Sequence, residues 1–261
     1  MSRIAPFEED TIVIGDWLEI ISQIPNESVD LVATDPPWET LLRWQGVGTT
    51  ARMGLGREDS KSHDPNKFFP VIPNGDLPDL VQEMYRILKP STHCYIMCDF
   101  ETLKLLNYFA IEEGVFSPVG YGKLFDSCKP LIWDKMAMGT GYTYRQQYEF
   151  VFMLWKGPTK RRLNDLSIPD VLRFKRVWGN DKLVPTQKPV GLFDCLIRQS
   201  SNEGEIIVDP FMGSGTTAIA ADRLGRRWFG CDISEQYVKL ALERVEADRL
   251  KRSQLGLFSD G

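Results

Sequence analysis

The chain has 261 residues, enough for one large α/β domain, and a formal net charge of -5, which is not the basic total that is usual for a nucleic-acid-binding protein. Its five cysteines form no CxxC pair and its two histidines lie in no ligand pattern, so neither a zinc site nor a disulfide framework is predicted. The N-terminus has no secretory pattern and no apolar run is long enough for a membrane, so a reduced, cytoplasmic location and no membrane partner are expected.

Short apolar runs alternate with amphipathic stretches along the chain, a pattern that is typical of βαβ units. In chain order the predicted elements are strand Thr11–Ile14, helix Trp17–Gln23, strand Val29–Thr34, helix Leu80–Leu88, strand Cys94–Cys98, helix Glu101–Glu113, strands Leu131–Asp134 and Glu149–Trp155, helix Val190–Ser200, strand Ile206–Val208, helix Thr217–Leu224, strand Trp228–Cys231 and a last helix capped by Ser234. The sequence therefore predicts a single α/β domain over residues 1–261, with a mostly parallel, twisted sheet flanked by helices.

Two segments interrupt this alternation. Residues 43–74 are long, polar and rich in glycine, which predicts a mobile loop insertion. Residues 157–185 are punctuated by prolines and link the two βα-rich halves of the chain.

Residues 206–217 read as a strand, a tight glycine turn and the start of a helix. Gly213 and Gly215 allow a ligand to approach the backbone closely, and the helix start offers free N–H groups. The turn is neither GxGxxG nor GxxxxGK[ST], so a small zwitterion is a better ligand than a pyrophosphate. Asp232 ends the next predicted strand about 20 residues later, where a carboxylate can accept ribose hydroxyls. The alternative is a structural βα turn followed by a solvated aspartate.

Asp35-Pro36-Pro37-Trp38 follows a buried strand, at the strand end where open α/β sheets bind ligands. The two prolines make the turn rigid and remove two donors. Acceptors beside an aromatic plane suit a flat group that donates through an –NH2, such as N6 of an adenine that has been flipped out of a duplex. Two acceptors would localise the nitrogen lone pair for direct attack on a methyl group, without a covalent enzyme intermediate. The alternative is a rigid turn with a packed tryptophan.

The two motifs together resemble those of the DNA amino-methyltransferases, which modify adenine N6 or cytosine N4. Residues 35–38 match the catalytic pattern [DNS]-P-P-[YFW], and residues 209–216 resemble the cofactor motif DPFxGxGT. The catalytic motif comes first, which is the circularly permuted order of the β group. Residues 185–189 (PTQKP) and the pair Gly15-Asp16 resemble two further motifs of that group, although Val184 stands where its members usually have histidine.

The resemblance implies a Rossmann-like methyltransferase fold and S-adenosylmethionine as the cofactor. It places Asp16 near the cofactor adenine, Asp232 at the ribose, and Thr186 and Lys188 at the methionine carboxylate. The implied cofactor-binding residues are Asp16, Asp35, Thr186, Lys188, Asp209, Phe211, Gly213, Ser214, Gly215, Thr216 and Asp232. The implied catalytic residues are Asp35, Pro36, Pro37 and Trp38.

The resemblance favours adenine, since cytosine-N4 members more often have serine in place of Asp35. Cytosine N4 remains an alternative. Residues 133–149 also resemble the mRNA adenine methyltransferases, which keeps RNA open as the substrate, although the glycine turn favours the prokaryotic or phage DNA enzymes. A DNA-binding module that has lost activity is the alternative that is not an enzyme.

The nucleic-acid surface is expected in the 157–185 segment, a short target-recognition region by the resemblance, with the 43–74 loop closing over the flipped base. The candidate phosphate contacts are Arg43, Arg52, Arg57, Lys160, Arg161, Arg162, Arg173, Lys175 and Arg176. A solvated basic loop is the alternative. The expected partner is double-stranded DNA; a homodimer and a cognate restriction endonuclease are further partners that the resemblance brings into consideration, in a prokaryotic or phage-encoded protein.

Overall fold

The structure, a computed structural model, describes residues 3–4, 6–44, 70–112, 123–139, 144–159, 161–179, 182–184 and 186–257. Its strands are β1 (Arg3–Ile4), β2 (Phe7–Glu8), β3 (Thr11–Ile14), β4 (Val29–Thr34), β5 (Leu88–Cys98), β6 (Ser127–Asp134), β7 (Tyr148–Trp155), β8 (Val171–Arg173), β9 (Ile206–Asp209) and β10 (Arg227–Asp232). Its α-helices are α1 (Trp17–Ile21), α2 (Leu77–Ile87), α3 (Phe100–Ile111), α4 (Val190–Ser200), α5 (Thr216–Arg223) and α6 (Glu235–Leu257).

Eight strands form one sheet in the order β3-β10-β9-β4-β5-β7-β6-β8, and β1 pairs with β2 in a separate hairpin. Strand β7 runs antiparallel to both of its neighbours, and the other pairs in the large sheet are parallel. The prediction of one large, mostly parallel sheet flanked by helices is therefore confirmed.

Strand β4 shows how the helices come to cover both faces of the sheet. All six of its residues are buried, because each face of this central strand packs against a helical layer. Val32 packs into the cluster that contains residues of α1, α2 and α3. Leu31 and Ala33 point to the opposite face, into the cluster built with α4, α5 and α6.

Several helices and strands begin or end at residues other than those predicted. Strand β5 begins at Leu88, directly after α2, and includes Pro90. Its pairing with β4 is irregular between Val29 and Leu31, and Ser91 has a φ of +66°, so the chain bends there. Strand β8 was not predicted, because a three-residue edge strand with one buried side chain has no apolar run to reveal it.

The two irregular segments are only partly described. Residues 45–69 of the predicted 43–74 loop lie outside the described residues. The described end of the loop returns to the turn after β4, where Ile72 forms a bridge with Trp38. Within the described ranges, no helix is both long enough and apolar enough to cross a membrane.

Candidate active site

A cleft with a volume of about 940 Å³ lies at the carboxyl ends of β3, β4, β5 and β10. The carboxyl ends of the strands are where open α/β sheets bind ligands. Asp16 and Asp232 line one side of the cleft, and Asp35 and Glu149 line the other. The volume is near the upper limit for small-molecule sites, so the cleft has room for more than a single small ligand.

Asp16, Phe211, Gly213 and Asp232, four of the residues that the resemblance assigned to the cofactor, line the cleft. The Asp232 carboxylate accepts the backbone N–H groups of Gly213 and Ser234, each at 2.9 Å. Burial raises the pKa of Asp232, and these two N–H groups oppose the shift. The Asp16 carboxylate accepts the Leu18 N–H at 2.9 Å and so caps α1. Both aspartates therefore combine a structural bond with a position on the cleft wall.

Asp209 lies behind the cleft wall, which differs from its predicted contact with the cofactor. Its carboxylate is buried and accepts the hydroxyl groups of Thr34 at 2.6 Å and Thr217 at 2.5 Å, together with the Phe211 N–H at 3.0 Å. Burial raises its pKa from 3.8 to about 6, although all three donors oppose the shift. Asp209 thus ties the glycine turn to β4 and α5, and Phe211, the next residue but one, lines the cleft.

Ser214, Gly215 and Thr216 also lie outside the lining of the cleft. Gly215 has a φ of +78°, and a Cβ atom there would lie 2.9 Å from the Cβ atom of Ala241. The Ser214 carbonyl accepts a bond from Arg244, and the Thr216 hydroxyl donates to the Lys188 carbonyl at 3.3 Å. These three residues pack the turn against α6 and the 186–189 segment.

The predicted catalytic turn directly follows β4. Pro36 is buried, and the Pro37 carbonyl accepts the Ile72 N–H at 2.7 Å. Trp38 is only 6% exposed, and its indole N–H donates to the Met97 carbonyl at 2.8 Å. These two hydrogen bonds hold the turn, and the Trp38 ring lines the cleft while being packed largely into the core.

Four charged side chains form a chain of ion pairs on this side of the cleft. The Lys188 Nζ lies 2.5 Å from Asp35 Oδ2 and 3.4 Å from Glu149 Oε2. The Lys135 Nζ lies 3.0 Å from the other Glu149 oxygen. Lys188 was predicted at a cofactor carboxylate; here its ammonium group lies between two carboxylates of the protein.

The ion pairs and burial set the pKa values of the cluster. Burial raises the pKa of Asp35 and Lys188 opposes that rise. Burial would also raise the pKa of Glu149, but Lys188 and Lys135 lower it overall. For Lys188, the two carboxylates outweigh burial and raise the pKa. Lys188 therefore stays protonated and acts to lower the pKa of both carboxylates, although the pKa of Asp35 stays above its usual value.

Glu149 and Lys135 were not among the predicted site residues. Glu149 stands near the start of β7, a position that looks like an ordinary strand border in the sequence. Only the antiparallel direction of β7, which brings its first residues to the carboxyl end of β5, places Glu149 in the cleft. Within the described ranges, no group of three or more His, Cys, Asp or Glu side chains could hold a metal ion.

The predicted basic residues are separated in the fold. Arg176 lines the cleft, and Arg173 lies 3.6 Å from Asp134 near the same edge. Arg161 lies at the opposite end of the strands, where it pairs with Glu205 at 2.7 Å just before β9 begins. It is therefore remote from Arg173 and Arg176. Arg162 and Lys175 are exposed and do not line the cleft. Arg52, Arg57, Lys160 and the side chain of Arg43 lie outside what the structure describes.

Comparisons with known proteins identify relatives of the chain and of its fold. A family described as "DNA methylase" matches residues 29–243. The DNA adenine methyltransferase YhdJ of Escherichia coli K12 is 28% identical over 92% of this chain and 83% of its own length. The crystal structure of an M1.HpyAVI-SAM complex has a TM-score of 0.60 at 23% identity and covers 90% of this chain and 98% of its own. PvuII DNA methyltransferase, described as cytosine-N4-specific, has a TM-score of 0.59 at 17% identity and covers 91% of this chain and 92% of its own.

Proposed function

The chain belongs to this DNA methylase family, and on that premise we propose that it transfers a methyl group from S-adenosylmethionine to the N6 amino group of adenine in double-stranded DNA. The observation that carries the choice of an amino group is the position of Asp35. Its carboxylate lies on the turn in the cleft and pairs with the buried ammonium group of Lys188.

The cofactor fits the Asp16 and Asp232 side of the cleft. The carboxylate of Asp232 is within reach of the glycine turn and keeps further acceptor capacity for ribose hydroxyls. Phe211, whose ring is backed by the largely buried Trp17 at a centroid distance of 5.8 Å, borders the same side and suits contact with an adenine ring. When bound, S-adenosylmethionine supplies an electrophilic methyl group on a sulfonium.

The residues of the catalytic turn act on the target amino group. The Pro37 carbonyl already accepts Ile72, so the Asp35 carboxylate and the Pro36 carbonyl are the two acceptors that we assign to the N6 hydrogens. Two acceptors hold the nitrogen with its lone pair directed out of the ring plane. Catalysis then rests on orientation and on a fixed negative charge, and no enzyme nucleophile is needed.

Adenine is favoured over cytosine by the aspartate at position 35 and by the adenine-specific relative. Cytosine N4 is the second candidate, because the fold resembles that of the cytosine-N4-specific PvuII enzyme about as closely as that of M1.HpyAVI. The same two acceptors could receive an N4 amino group.

One assay decides between these substrates. The protein is incubated with radiolabelled S-adenosylmethionine and either unmethylated plasmid DNA or transcribed RNA, and the polymer is digested to nucleosides. Label in N6-methyldeoxyadenosine is the expected result. Label in N4-methyldeoxycytidine would select the second candidate, and label in RNA alone would overturn the proposal. Sequencing of the methylated plasmid then identifies the recognition site.

We place the DNA along the edge of the cleft that carries Arg173 and Arg176. Closure of the 43–74 loop over the flipped base, a homodimer, a cognate restriction endonuclease and a cytoplasmic location stay predictions of the sequence. Sedimentation with and without DNA tests the homodimer, and protease cleavage within residues 43–74 with and without cognate DNA tests the loop.

A further inference from the structure

The turn after β4 interrupts the backbone pairing of β4 with β5. The pairing ends at Thr34 and Ile96, and the chain that leaves β4 soon enters Pro36 and Pro37, which have no N–H group to donate. Carbonyl groups of the neighbouring chain beyond Ile96 therefore need other donors. The position of the turn beside β5 thus depends on bonds that the backbone of the two prolines cannot provide.

Two side chains that follow the prolines provide such bonds. The Trp38 indole N–H donates to the Met97 carbonyl at 2.8 Å, and the Thr40 hydroxyl donates to Oδ2 of Asp99. The two donors are two residues apart on one segment, and the two acceptors are two residues apart on the other. That spacing is the side-chain repeat of a strand, so the two side chains continue the connection of β4 with β5 beyond the last backbone pair.

The residues between these donors are bonded to a different segment. The Pro37 carbonyl accepts the Ile72 N–H at 2.7 Å, and Oε2 of Glu39 accepts the Asn74 N–H at 2.8 Å. The spacing is again two residues on both segments. Residues 37–40 are therefore held from two sides, and alternate residues bond to alternate neighbours.

Asp99 has a position that does not depend on the turn. Its second carboxylate oxygen, Oδ1, accepts the Thr102 N–H at 2.8 Å and so caps α3. Leu106 and Ala110 of that helix are fully buried in the core. One carboxylate group thus connects a packed helix to the segment that follows the turn.

Both partners of the bond between Thr40 and Asp99 line the cleft, together with Asp35 and Trp38. Thr40 is only 9% exposed, and Asp99 is partly buried. A carboxylate acceptor makes a stronger hydrogen bond than a neutral acceptor, and shielding from water strengthens it further. The bond therefore lies where it can fix the wall that receives the target base.

We propose that Asp99 is a positioning residue for methyl transfer. Through Thr40 it holds the segment after the prolines, so that the Trp38 ring and the acceptors of the turn keep their places on the cleft wall when a base enters. This inference rests on the proposed function, because the step that it controls is the approach of the target amino group to the methyl donor.

The test separates this bond from the helix cap. Thr40→Val removes the donor and keeps the shape of the side chain, whereas Thr40→Ser restores a hydroxyl group. Asp99→Ser keeps a good helix cap but leaves no second oxygen for Thr40. The matched control is Thr92→Val: Thr92 is 5% exposed, donates its hydroxyl to the Lys89 carbonyl at 2.6 Å and lies outside the cleft lining.

The readouts are the melting temperature, the affinity for S-adenosylhomocysteine and the single-turnover rate of methyl transfer to plasmid DNA. The rate should fall about 10-fold in Thr40→Val and in Asp99→Ser, because a misplacement of about 1 Å near reacting groups can cost about 100-fold. Thr40→Ser should stay within about 3-fold of the wild type, and the affinity for S-adenosylhomocysteine should change less than about 3-fold in every variant. Thr92→Val should transfer methyl groups at the wild-type rate even where its melting temperature falls.

The double variant Thr40→Val with Asp99→Ser shows whether the two residues act through one bond. It should be no more than about 2-fold slower than either single variant, since each single substitution already removes that bond. Losses that multiply in the double variant would overturn the proposal, and so would a wild-type rate in Thr40→Val; the methyltransferase function would stand in both cases. If the wild type transfers no methyl group to DNA, the proposed function fails and this inference falls with it.

Discussion

The Nζ atom of Lys188 lies 2.5 Å from Oδ2 of Asp35, although 153 residues separate the two along the chain. The contact joins the turn after β4 to the segment before α4, and so joins residues 35–38 to the motif at residues 185–189. Both side chains are largely shielded from solvent, which strengthens their attraction. One ammonium group therefore ties the predicted catalytic turn to the segment before α4.

Replacing Asp35 should separate catalysis from cofactor binding. Asp35→Ala removes the charged acceptor that we assign to the N6 hydrogens, so kcat should fall by at least about 100-fold. Binding of S-adenosylhomocysteine, measured by calorimetry, should change less than about 5-fold. A comparable loss of cofactor affinity would show that Asp35 belongs to the cofactor site instead.

Lys188 should control the pH at which the enzyme becomes active. Because its cation lowers the pKa of Asp35, Lys188→Met should raise that pKa further, and the acidic limb of the kcat/KM profile should move to higher pH. Lys188→Arg keeps the charge and should restore most of the profile. Lys135→Met is the matched control, since Lys135 pairs with Glu149. An acidic limb that does not move in Lys188→Met would argue against an ionised Asp35 in the reaction.

The sequence predicted the parts of the site that lie within single segments. The position of residues 35–38 and of the Asp232 end of β10 could be predicted, because strand ends are visible in the sequence as apolar runs that stop at polar residues. The role of Glu149 could not be predicted, because it depends on β7 running antiparallel beside β5. The structural role of Asp209 could not be predicted for a different reason. The Thr34 hydroxyl that donates to its carboxylate comes from a strand 175 residues away.

Asp209 should give the fold a distinct pH dependence. Burial raises its folded pKa to about 6, so between pH 4 and pH 6 the native state binds this proton more readily than the unfolded chain. Its contribution to the free energy of unfolding is therefore largest below pH 4 and falls as the pH rises through 6, by up to about 3 kcal/mol. Urea unfolding of wild type and Asp209→Asn at pH 4, 5 and 7 isolates this term. Curves that stay parallel across that range would contradict it.

The basic residues of the 157–185 segment should divide into two groups. Arg173→Ala should raise the KM for DNA and reduce the slope of log affinity against log salt by about 1, as expected for one lost phosphate contact. Arg161→Ala should leave both unchanged, because Arg161 pairs with Glu205 at the opposite edge. Its cost should appear instead as a loss of stability of about 1 kcal/mol, measured by urea unfolding. A DNA-binding defect in Arg161→Ala would place the nucleic acid on a different surface.

Gly215 should be required for packing as well as for backbone conformation, and Gly204 offers the means to separate the two effects. Both residues have left-handed backbone angles, with φ of +78° and +76°, so alanine at either should cost about 1 kcal/mol or more in strain. A Cβ atom at Gly204 meets nothing within 4 Å, whereas one at Gly215 meets Ala241 of α6 at 2.9 Å. Gly215→Ala should therefore lower the free energy of unfolding by about 1–3 kcal/mol more than Gly204→Ala does, because α6 must move.

That movement of α6 would also displace the neighbouring Gly213 N–H from Asp232, so the affinity for S-adenosylhomocysteine should fall in Gly215→Ala and not in Gly204→Ala. Equal effects of the two substitutions would mean that α6 yields freely and that the turn is held by its other bonds alone.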